Sequence, residues 1–361
     1  MKILQVIDFM PQTSGGARFV VNLAKALKLK GCDVDVLLID GKPSHFTSEL
    51  LEAGIKIISL NENINRFNLK YSFQISKYLE KYDVVHVHIF PSSYQVAIAS
   101  FFTNNSAPIV FTEHNSFNRR ASNPVFKYIE KFVYSRFDHI VCLSQQVLSF
   151  VDSKLKINHN KLSIIENAVD VQAISLAPVL NKVDLDYKDS DFLLLMSARF
   201  TSQKNHEIII ESLRKLPEEI KLIFAGDGVL MNKMKELVEL YNLNNRVSFL
   251  GSRSDVLSLM KTVDVNILAS NFEGLSLAAL EAMSTGKPFI GSNVDGIDFV
   301  INNKDYLFNN NANELADLIL KLYKDQLFYQ KAANDTYERS KNFDINVMTD
   351  KYLEVYKKLI S

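Results

Sequence analysis

Two carboxylates and a serine lie close together in residues 270–283, and their spacing suits the binding of a polar ligand. Glu273 and Glu281 are eight positions apart, and Ser276 lies between them at a place typical of a helix N-cap. A run of strong helix formers follows the serine, and an apolar run typical of a buried strand precedes the segment. A turn from strand to helix presents free backbone N–H groups to an anion, and carboxylates bind hydroxyl groups. A sugar nucleotide has both groups. A plain loop glutamate beside a helix-surface glutamate is the alternative.

Two cations follow another apolar strand and could bind a diphosphate. Arg199 and Lys204 come after the predicted strand Phe192–Ser197. Arginine can donate two parallel hydrogen bonds to phosphate oxygens, and lysine supplies a compact charge. Gly226, in the turn after the next predicted strand, would leave space beside the phosphates. Two solvated loop cations are the alternative interpretation.

His114 and the pair Gly15–Gly16 each follow a predicted strand in the first half of the chain. His114 could hold a polar group at the reacting centre or transfer a proton near neutral pH, or it could be structural. Gly15 and Gly16 would let a ligand approach the backbone closely, or they mark only the start of a helix. The pattern Gly-x-Gly-x-x-Gly is absent, so no dinucleotide cofactor is expected. No cluster has the spacing of metal ligands, so no metal is expected either.

Alternating strands and helices must position these residues, and both halves of the chain show that alternation. It predicts two doubly wound, Rossmann-like α/β domains, over residues 1–170 and 192–344. Residues 171–191 are polar and interrupt the pattern, which predicts a linker. Open α/β sheets bind ligands at the carboxyl ends of their strands, so we expect the site in a cleft between the domains.

The composition is that of an ordinary globular protein, with 47% hydrophobic residues among 361 and no apolar run long enough for a transmembrane helix. The N-terminus predicts a strand rather than a signal peptide. Cys32 and Cys142 lie in or beside apolar strand patterns and predict core thiols in a reducing cytoplasm. Residues 1–168 carry 19 Lys and Arg against 14 Asp and Glu, although the whole chain is neutral. That excess is too small to indicate nucleic acid, but it suits an anionic surface or acceptor.

A helix from Pro124 to about Arg136 is a candidate for contact with an anionic membrane. Its apolar positions predict an inward face, formed by Val125, Phe126, Ile129, Phe132 and Val133. Basic and aromatic residues lie elsewhere on or just before it: Arg119, Arg120, Lys127, Tyr128, Lys131 and Tyr134. An ordinary solvated helix face is the alternative.

Taken together, these stretches resemble the family 4 glycosyltransferases of the GT-B fold, a retaining family that includes many bacterial surface-polysaccharide enzymes. The most specific match is a Glu-x7-Glu motif formed by Glu273 and Glu281, and the resemblance covers nearly the whole chain. Two departures stand out. Ala168 occupies the place of a usual glycine, and the loop 295–299 lacks the family's glutamate, so no role is carried over from that loop.

The resemblance implies a role for each candidate residue. Glu281 would hold the ribose hydroxyls, and Glu273 would hold the donor sugar together with the amides of Gly274, Leu275 and Ser276. Arg199 and Lys204 would stabilise the leaving diphosphate, and Ser252 and Arg253 would lie beside the base. Gly15 and Gly16 would approach the phosphate and acceptor, and His114 would contact the transferred sugar. The last helix, 345–361, would cross back to the first domain.

These inferences predict a retaining, metal-independent glycosyltransferase. It would move a hexose or N-acetylhexosamine from a nucleotide-diphosphate sugar to a glycan or lipid-linked acceptor in cell-surface polysaccharide biosynthesis. A UDP-sugar is favoured over GDP-mannose, although both offer the same phosphate and ribose contacts. We expect a cytoplasmic enzyme with no cofactor and no nucleic-acid partner, and peripheral attachment to the inner face of the membrane stays open. A non-hydrolysing UDP-sugar 2-epimerase and a non-catalytic sugar-nucleotide-binding subunit are the alternatives.

Overall fold

A computed structural model describes residues 1–11, 14–61, 68–103, 107–114, 123 and 126–361. The chain divides into two compact units. The first comprises Met1–Asn167 and Ile345–Ser361, and the second comprises Ala168–Asp344.

The described part of the first unit has seven strands and seven helices in alternation. The strands are β1 (Lys2–Ile7), β2 (Asp33–Asp40), β3 (Lys56–Asn61), β4 (Val84–His88), β5 (Ile109–Glu113), β6 (His139–Cys142) and β7 (Leu162–Ile164). The helices are α1 (Gly15–Leu29), α2 (His45–Glu52), α3 (Lys70–Leu79), α4 (Ser92–Ala99), α5 (Phe126–Ser135), α6 (Gln145–Leu155) and, at the end of the chain, α15 (Ile345–Ile360).

The second unit has six strands and eight helices. The strands are β8 (Phe192–Ser197), β9 (Ile220–Ala225), β10 (Val247–Phe249), β11 (Val265–Leu268), β12 (Phe289–Ser292) and β13 (Leu307–Phe308). The helices are α7 (Val171–Leu176), α8 (His206–Leu213), α9 (Met231–Leu240), α10 (Val256–Thr262), α11 (Leu277–Met283), α12 (Asp295–Ile301), α13 (Ala312–Lys324) and α14 (Gln326–Ser340).

Each unit is built on a parallel sheet, and the Rossmann-like fold prediction is confirmed. The strand order is β3-β2-β1-β4-β5-β6-β7 in the first unit and β10-β9-β8-β11-β12-β13 in the second. The central strands, such as β1 and β8, are nearly continuous apolar runs whose side chains are buried. This is the pattern of a parallel sheet that is covered by helices on both faces.

The C-terminal helix α15 belongs to the first unit, as the resemblance implied. It buries Tyr352 and Tyr356 against the sheet. The Tyr356 hydroxyl is 2.6 Å from His86 Nδ1, and the Tyr352 hydroxyl is 3.0 Å from Thr112 Oγ1. Because these buried polar groups satisfy one another, the helix is held in a specific register on the sheet.

Residues 171–191 are structured and belong to the second unit, whereas their polarity predicts a linker. Helix α7 begins after Asp170, whose carboxylate accepts a hydrogen bond from the Ala173 N–H. Val171 and Ile174 are buried in the core of that unit. These two buried side chains, three positions apart, hold the short helix against that core.

The predicted inward face of α5 is wrong. Phe126, Ile129 and Phe132 are exposed, and of the four predicted core residues that the structure describes only Val133 is buried. Glu130 and Tyr134 are buried in their place, because the carboxylate of Glu130 accepts from Tyr94 and the Tyr134 hydroxyl donates to Glu113. The predicted positions Arg119, Arg120, Pro124 and Val125 lie outside the described residues.

The two cysteines are both free, but only Cys142 is buried, while Cys32 is partly exposed. Burial raises the pKa of the Cys142 thiol to about 12, so this side chain behaves as a small apolar group. Within the part of the chain that the structure describes, no helix is long and apolar enough to cross a membrane.

Candidate functional site

Four loops at the carboxyl edge of the second sheet carry most of the candidate residues. They follow β8, β9, β10 and β11, which are neighbours in the sheet. Because all these strands are parallel, their carboxyl ends lie along one edge. The fold therefore places Arg199, Gly226, Ser252 and Glu273 on the same edge of one unit.

Lys204 and Glu273 form an ion pair that joins the loops after β8 and β11. The Lys204 side chain is 14% exposed and that of Glu273 is 11% exposed. An ion pair with so little contact to water is screened weakly, and losing either partner would leave the other charge poorly solvated. The sequence predicts both residues as site residues, but it does not predict that they contact each other.

Two further side chains hold the Glu273 carboxylate. The Ser270 hydroxyl donates to Oε2 at 3.2 Å, and Gln203 Nε2 lies 3.4 Å from Oε1. The two loops are also joined through their backbones, because the Asn271 N–H donates to the Gln203 carbonyl at 2.8 Å. The orientation of Glu273 is thus fixed by side chains from both loops.

Gly296, in the first turn of α12, packs directly against the backbone of the Glu273 loop. A methyl group added at this position would overlap the carbonyl oxygens of Glu273 and Gly274. Only glycine permits this approach. Residues 295–299, which the sequence suggests as a loop, belong to helix α12; this segment lacks the family's glutamate but still supports the site through its glycine.

A closed ring of hydrogen bonds positions Ser270. Its N–H donates to Ser292 Oγ at 3.0 Å, and the Ser292 hydroxyl donates to Asn310 Oδ1 at 2.8 Å. Asn310 Nδ2 closes the ring by donating to the Ser270 carbonyl at 3.1 Å. Neither Ser292 nor Asn310 is predicted from the sequence, where the asparagine-rich segment 302–313 indicates only turns.

Gly226 and Gly228 fix the loop that carries Arg199. Both have positive φ angles, and a methyl group on either would overlap the backbone of Ala198 or Phe200. The Phe200 N–H donates to the Asp227 carbonyl at 3.0 Å, and the Arg199 side chain is exposed. Close packing of the two loops thus leaves the guanidinium group on the surface.

His206 is a further residue of this edge that the sequence analysis missed. It stacks on Phe200, with ring centroids 4.1 Å apart, and its Nδ1 is 3.0 Å from the Lys204 carbonyl oxygen. Burial lowers the pKa of His206 to about 4, so the ring is neutral at pH 7 and Nδ1 donates to that carbonyl. His206 therefore supports the backbone of Lys204 without adding charge.

Helix α11 carries the second half of the Glu-x7-Glu motif. Ser276 occupies the N-cap position, as predicted, although its side chain makes no capping hydrogen bond. Glu281 is partly buried in the second turn, and Gly274 and Leu275 lie in the preceding loop. After β10, Arg253 pairs with Asp255, at 2.7 and 2.6 Å, beside the exposed Ser252.

Gly15 and Gly16 are the first two residues of α1 in the first unit. The Ser14 hydroxyl caps this helix by accepting from the Ala17 N–H at 3.2 Å. Gly15 has open space around it, whereas a methyl on Gly16 would contact Ile89. Of the two glycines, only Gly16 lies where an added methyl would be crowded.

His114 ends a chain of buried polar groups in the first unit. Its Nε2 is 3.4 Å from His88 Nδ1, and His88 Nε2 donates to the Gln5 side-chain carbonyl. Its ring also meets the edge of Phe19, with centroids 4.9 Å apart. Burial lowers the pKa of His114 to about 4, so it can hydrogen bond to a ligand but does not titrate near neutral pH.

Acidification should destabilise the protein through these histidines. Burial also holds the pKa values of His86 and His88 well below the usual range, so the folded state binds fewer protons than the unfolded state. Stability is therefore complete above about pH 6.5 and falls as the pH drops toward 4. For His114 alone, a shift from 6.5 to about 4 predicts a loss of about 2 kcal/mol at pH 5.

The measurement is the urea midpoint at about pH 7.5 and pH 5, for the native chain and for His114→Gln. The variant should lose part of the pH dependence. His45→Gln is the matched control, because His45 is exposed. A midpoint that stays constant across this range would contradict the burial argument.

The described residues contain no group of three His, Cys, Asp or Glu side chains that could hold a metal ion. Metal independence stays a prediction, since it concerns the reaction rather than this geometry.

Two protein families match the chain, one over each half. Residues 13–173 match Glycosyltransferase Family 4, and residues 181–343 match Glycosyl transferases group 1. Together these ranges contain every candidate residue of both units. The order of the two matches along the chain is also the order of the two units.

Curated relatives are similar over almost the whole chain. A UDP-Gal:alpha-D-GlcNAc-diphosphoundecaprenol alpha-1,3-galactosyltransferase of Escherichia coli is 27% identical, over 97% of this chain and 95% of that protein. An N-acetylgalactosamine-N,N'-diacetylbacillosaminyl-diphospho-undecaprenol 4-alpha-N-acetylgalactosaminyltransferase of Campylobacter jejuni is 26% identical, over 90% and 94%. Among solved structures, a glycosyltransferase from Rickettsia africae has a TM-score of 0.84 at 25% identity, covering 100% of this chain and 98% of that one. Anabaena HepE in complex with UDP also has a TM-score of 0.84, at 20% identity, covering 99% and 100%.

Proposed function

Because this chain belongs to the family 4 glycosyltransferases of the GT-B fold, we propose that it transfers a hexose or N-acetylhexosamine to a lipid-linked or growing glycan acceptor. The donor would be a nucleotide-diphosphate sugar, with a UDP-sugar favoured over GDP-mannose. The transfer would retain the configuration at the anomeric carbon and would need neither a metal nor a cofactor. The context would be cell-surface polysaccharide biosynthesis at the inner face of the membrane.

The Lys204–Glu273 contact is the observation that carries this proposal. It puts a cation and a carboxylate at the same point on the sheet edge, which supports the proposal that Lys204 binds the diphosphate and Glu273 the sugar. A lysine ammonium has three N–H donors, so Lys204 can keep Glu273 and still donate to a phosphate oxygen. The names of the Escherichia coli and Campylobacter jejuni relatives, with their diphosphoundecaprenol acceptors, support the lipid-linked acceptor.

The chemistry follows from where charge develops. Breaking the bond between sugar and diphosphate builds negative charge on the leaving group and positive charge on the sugar. Lys204 and Arg199 would stabilise the leaving diphosphate, and the amides before α11 would add hydrogen bonds. Glu273 would lie on the side where positive charge develops. His114 would hold a hydroxyl of the sugar as a neutral hydrogen-bonding group.

The test is sugar transfer by the purified chain, with UDP-, GDP- and ADP-sugars and a synthetic polyprenyl-diphosphate sugar as acceptor. We expect transfer from a UDP-sugar in the presence of EDTA, with the donor's anomeric configuration kept in the product. Conversion of a UDP-sugar to its 2-epimer without acceptor would instead favour an epimerase. Nucleotide binding with no transfer on any acceptor would favour a non-catalytic subunit.

The two glutamates should have separable roles. Glu281→Ala is expected to weaken UDP binding about tenfold, because a charged partner of the ribose hydroxyls is lost. Glu273→Ala should slow transfer about tenfold while UDP still binds, since Lys204, no longer paired with Glu273, can still donate to the phosphate oxygens. Calorimetric titration with UDP and steady-state kinetics measure the two effects. If both variants lose nucleotide affinity equally and nothing else, this division of roles is wrong.

A further inference from the structure

The first unit exposes a set of apolar side chains contributed by α3, the segment after α4, and α5. We call it the aromatic patch, and it comprises Phe73, Phe101, Phe102, Phe126, Ile129 and Phe132. Each member is between 42% and 56% exposed. Exposed apolar side chains are ordinary when they are scattered singly, but a contiguous group marks an interaction surface.

Ring contacts join the three segments of the aromatic patch. Phe73 on α3 meets Phe102 edge to face, with centroids 5.9 Å apart. Phe101 stacks on Phe132 of α5, with centroids 5.7 Å apart and planes 8° from parallel. Phe126, Ile129 and Phe132 are spaced three residues apart on α5, so they lie along one side of that helix. The patch is therefore continuous from α3 to α5.

Cations surround these rings. Lys77 lies over Phe73 at 5.3 Å, and the Arg136 guanidinium lies over Phe101 at 4.4 Å. Lys70 on α3, and Lys127 and Lys131 on α5, add charge from the same helices. Among the described residues of α3 and α5 and those directly after them, carboxylates are fewer: Glu130 is buried against Tyr94, and the exposed Glu80 offsets only one of these five cations.

From this combination we propose that the aromatic patch docks the first unit onto a lipid bilayer that contains anionic lipids. Phenylalanine and isoleucine side chains can enter the boundary between headgroups and acyl chains, as the apolar face of an interfacial helix does. Lysine and arginine beside them would contact lipid phosphates. The purpose of this contact rests on the proposed lipid-linked acceptor, but the contact itself can be measured without any sugar.

A second copy of the chain is a poorer occupant of this surface. In a two-fold symmetric dimer the same patch would meet itself, so the surrounding cations would face one another. Juxtaposed like charges oppose such a complex, whereas an anionic bilayer attracts every one of them. Charge complementarity thus favours binding to an anionic bilayer over self-association.

The experiment is co-sedimentation of the full chain with vesicles of 70% phosphatidylcholine and 30% phosphatidylglycerol, and with vesicles of phosphatidylcholine alone. We expect binding to the anionic vesicles that weakens as salt is raised, since exposed charges are screened. Phe101→Ser with Phe132→Ser should lower the partition coefficient about tenfold or more. Lys77→Glu with Lys131→Glu should lower it by more than about 25-fold, because losing each lysine near an anionic surface costs about fivefold and the added carboxylates are repelled.

Matched controls lie elsewhere on the first unit. Leu29→Ser with Leu51→Ser removes two exposed apolar side chains, and Lys42→Glu with Lys154→Glu reverses two exposed charges. Both controls should bind anionic vesicles as the native chain does. Thermal melting of each variant separates lost binding from lost folding.

Equal binding to neutral and anionic vesicles, or equal binding by the patch and control variants, would overturn the proposal. So would a dimer in sedimentation equilibrium that Phe101→Ser with Phe132→Ser abolishes, because it would show a self-association surface. Sugar transfer to the synthetic polyprenyl-diphosphate acceptor, assayed without vesicles, is the separate readout. If the native chain binds vesicles but turns over no nucleotide sugar, the proposed function fails and the docking surface stands.

Discussion

Lys204→Ala should lower the turnover number about 10- to 150-fold. The expectation comes from the loss of one charge-assisted hydrogen bond to the leaving diphosphate, which contributes about 1.5–3 kcal/mol to the transition state. Lys233→Ala is the control, because Lys233 belongs to the same unit and forms an exposed ion pair with Glu207. Exposed pairs contribute little, so its turnover should change less than about twofold.

A double variant separates catalysis from support of the fold. Lys204→Ala leaves Glu273 poorly solvated without its cation, so part of any loss could come from a displaced loop. Combining Lys204→Ala with Glu273→Ala removes that unpaired charge and should recover melting temperature but not turnover. If the double variant turns over as fast as Glu273→Ala alone, Lys204 only supports the loop and the diphosphate assignment is wrong.

Gly296→Ala should reduce turnover about 100-fold although it changes no polar group. The added methyl must displace the carbonyl oxygens of Glu273 and Gly274, and misplacing a reacting group by about 1 Å can cost about that factor. Steady-state kinetics measure the loss, and UDP titration should show that the nucleotide still binds through the loops after β8 and β10.

Gly286→Ala is the control for this substitution. Gly286 has a φ of +76°, so alanine there carries a backbone cost, but no atom lies within 4 Å of the added methyl. It should lower the melting temperature and leave turnover close to native. Should Gly296→Ala behave like Gly286→Ala, its contact with the Glu273 loop has no part in the reaction.

The sequence predicts the carboxyl ends of the strands well, because each strand is recognised from neighbouring residues alone. A buried parallel strand is a short apolar run, and Phe192–Ser197 is found with the predicted bounds. The residues after such strands are then placed by topology, since parallel strands end on one edge. Arg199, Lys204 and Glu273 could therefore be proposed together before any contact between them was known.

Contacts between distant segments carry no such local signal. Asn310 binds the Ser270 backbone from 40 residues away, and its own neighbourhood indicates only turns. Gly296 is needed because the backbone of the Glu273 loop packs against it, and the residues around Gly296 in the sequence do not reveal that contact. Helix α5 shows the same limit, since its periodicity identifies an apolar face but not whether anything covers that face. Instead, the side of α5 that carries Glu130 and Tyr134 is buried, and both side chains form hydrogen bonds there.

The second unit interrupts the first as a single continuous segment, because the chain leaves the first unit after Asn167 and returns at Ile345. The two ends of that segment lie side by side, since the Val169 N–H donates to the Phe343 carbonyl at 3.0 Å. An inserted domain with adjacent ends can be exchanged without disturbing its host. One pair of genetic crossovers, near codons 168 and 344, would thus replace the second unit and leave α15 packed on its own sheet. One recombination event would thus yield a relative with a new second unit, while the first unit is inherited intact with its aromatic patch.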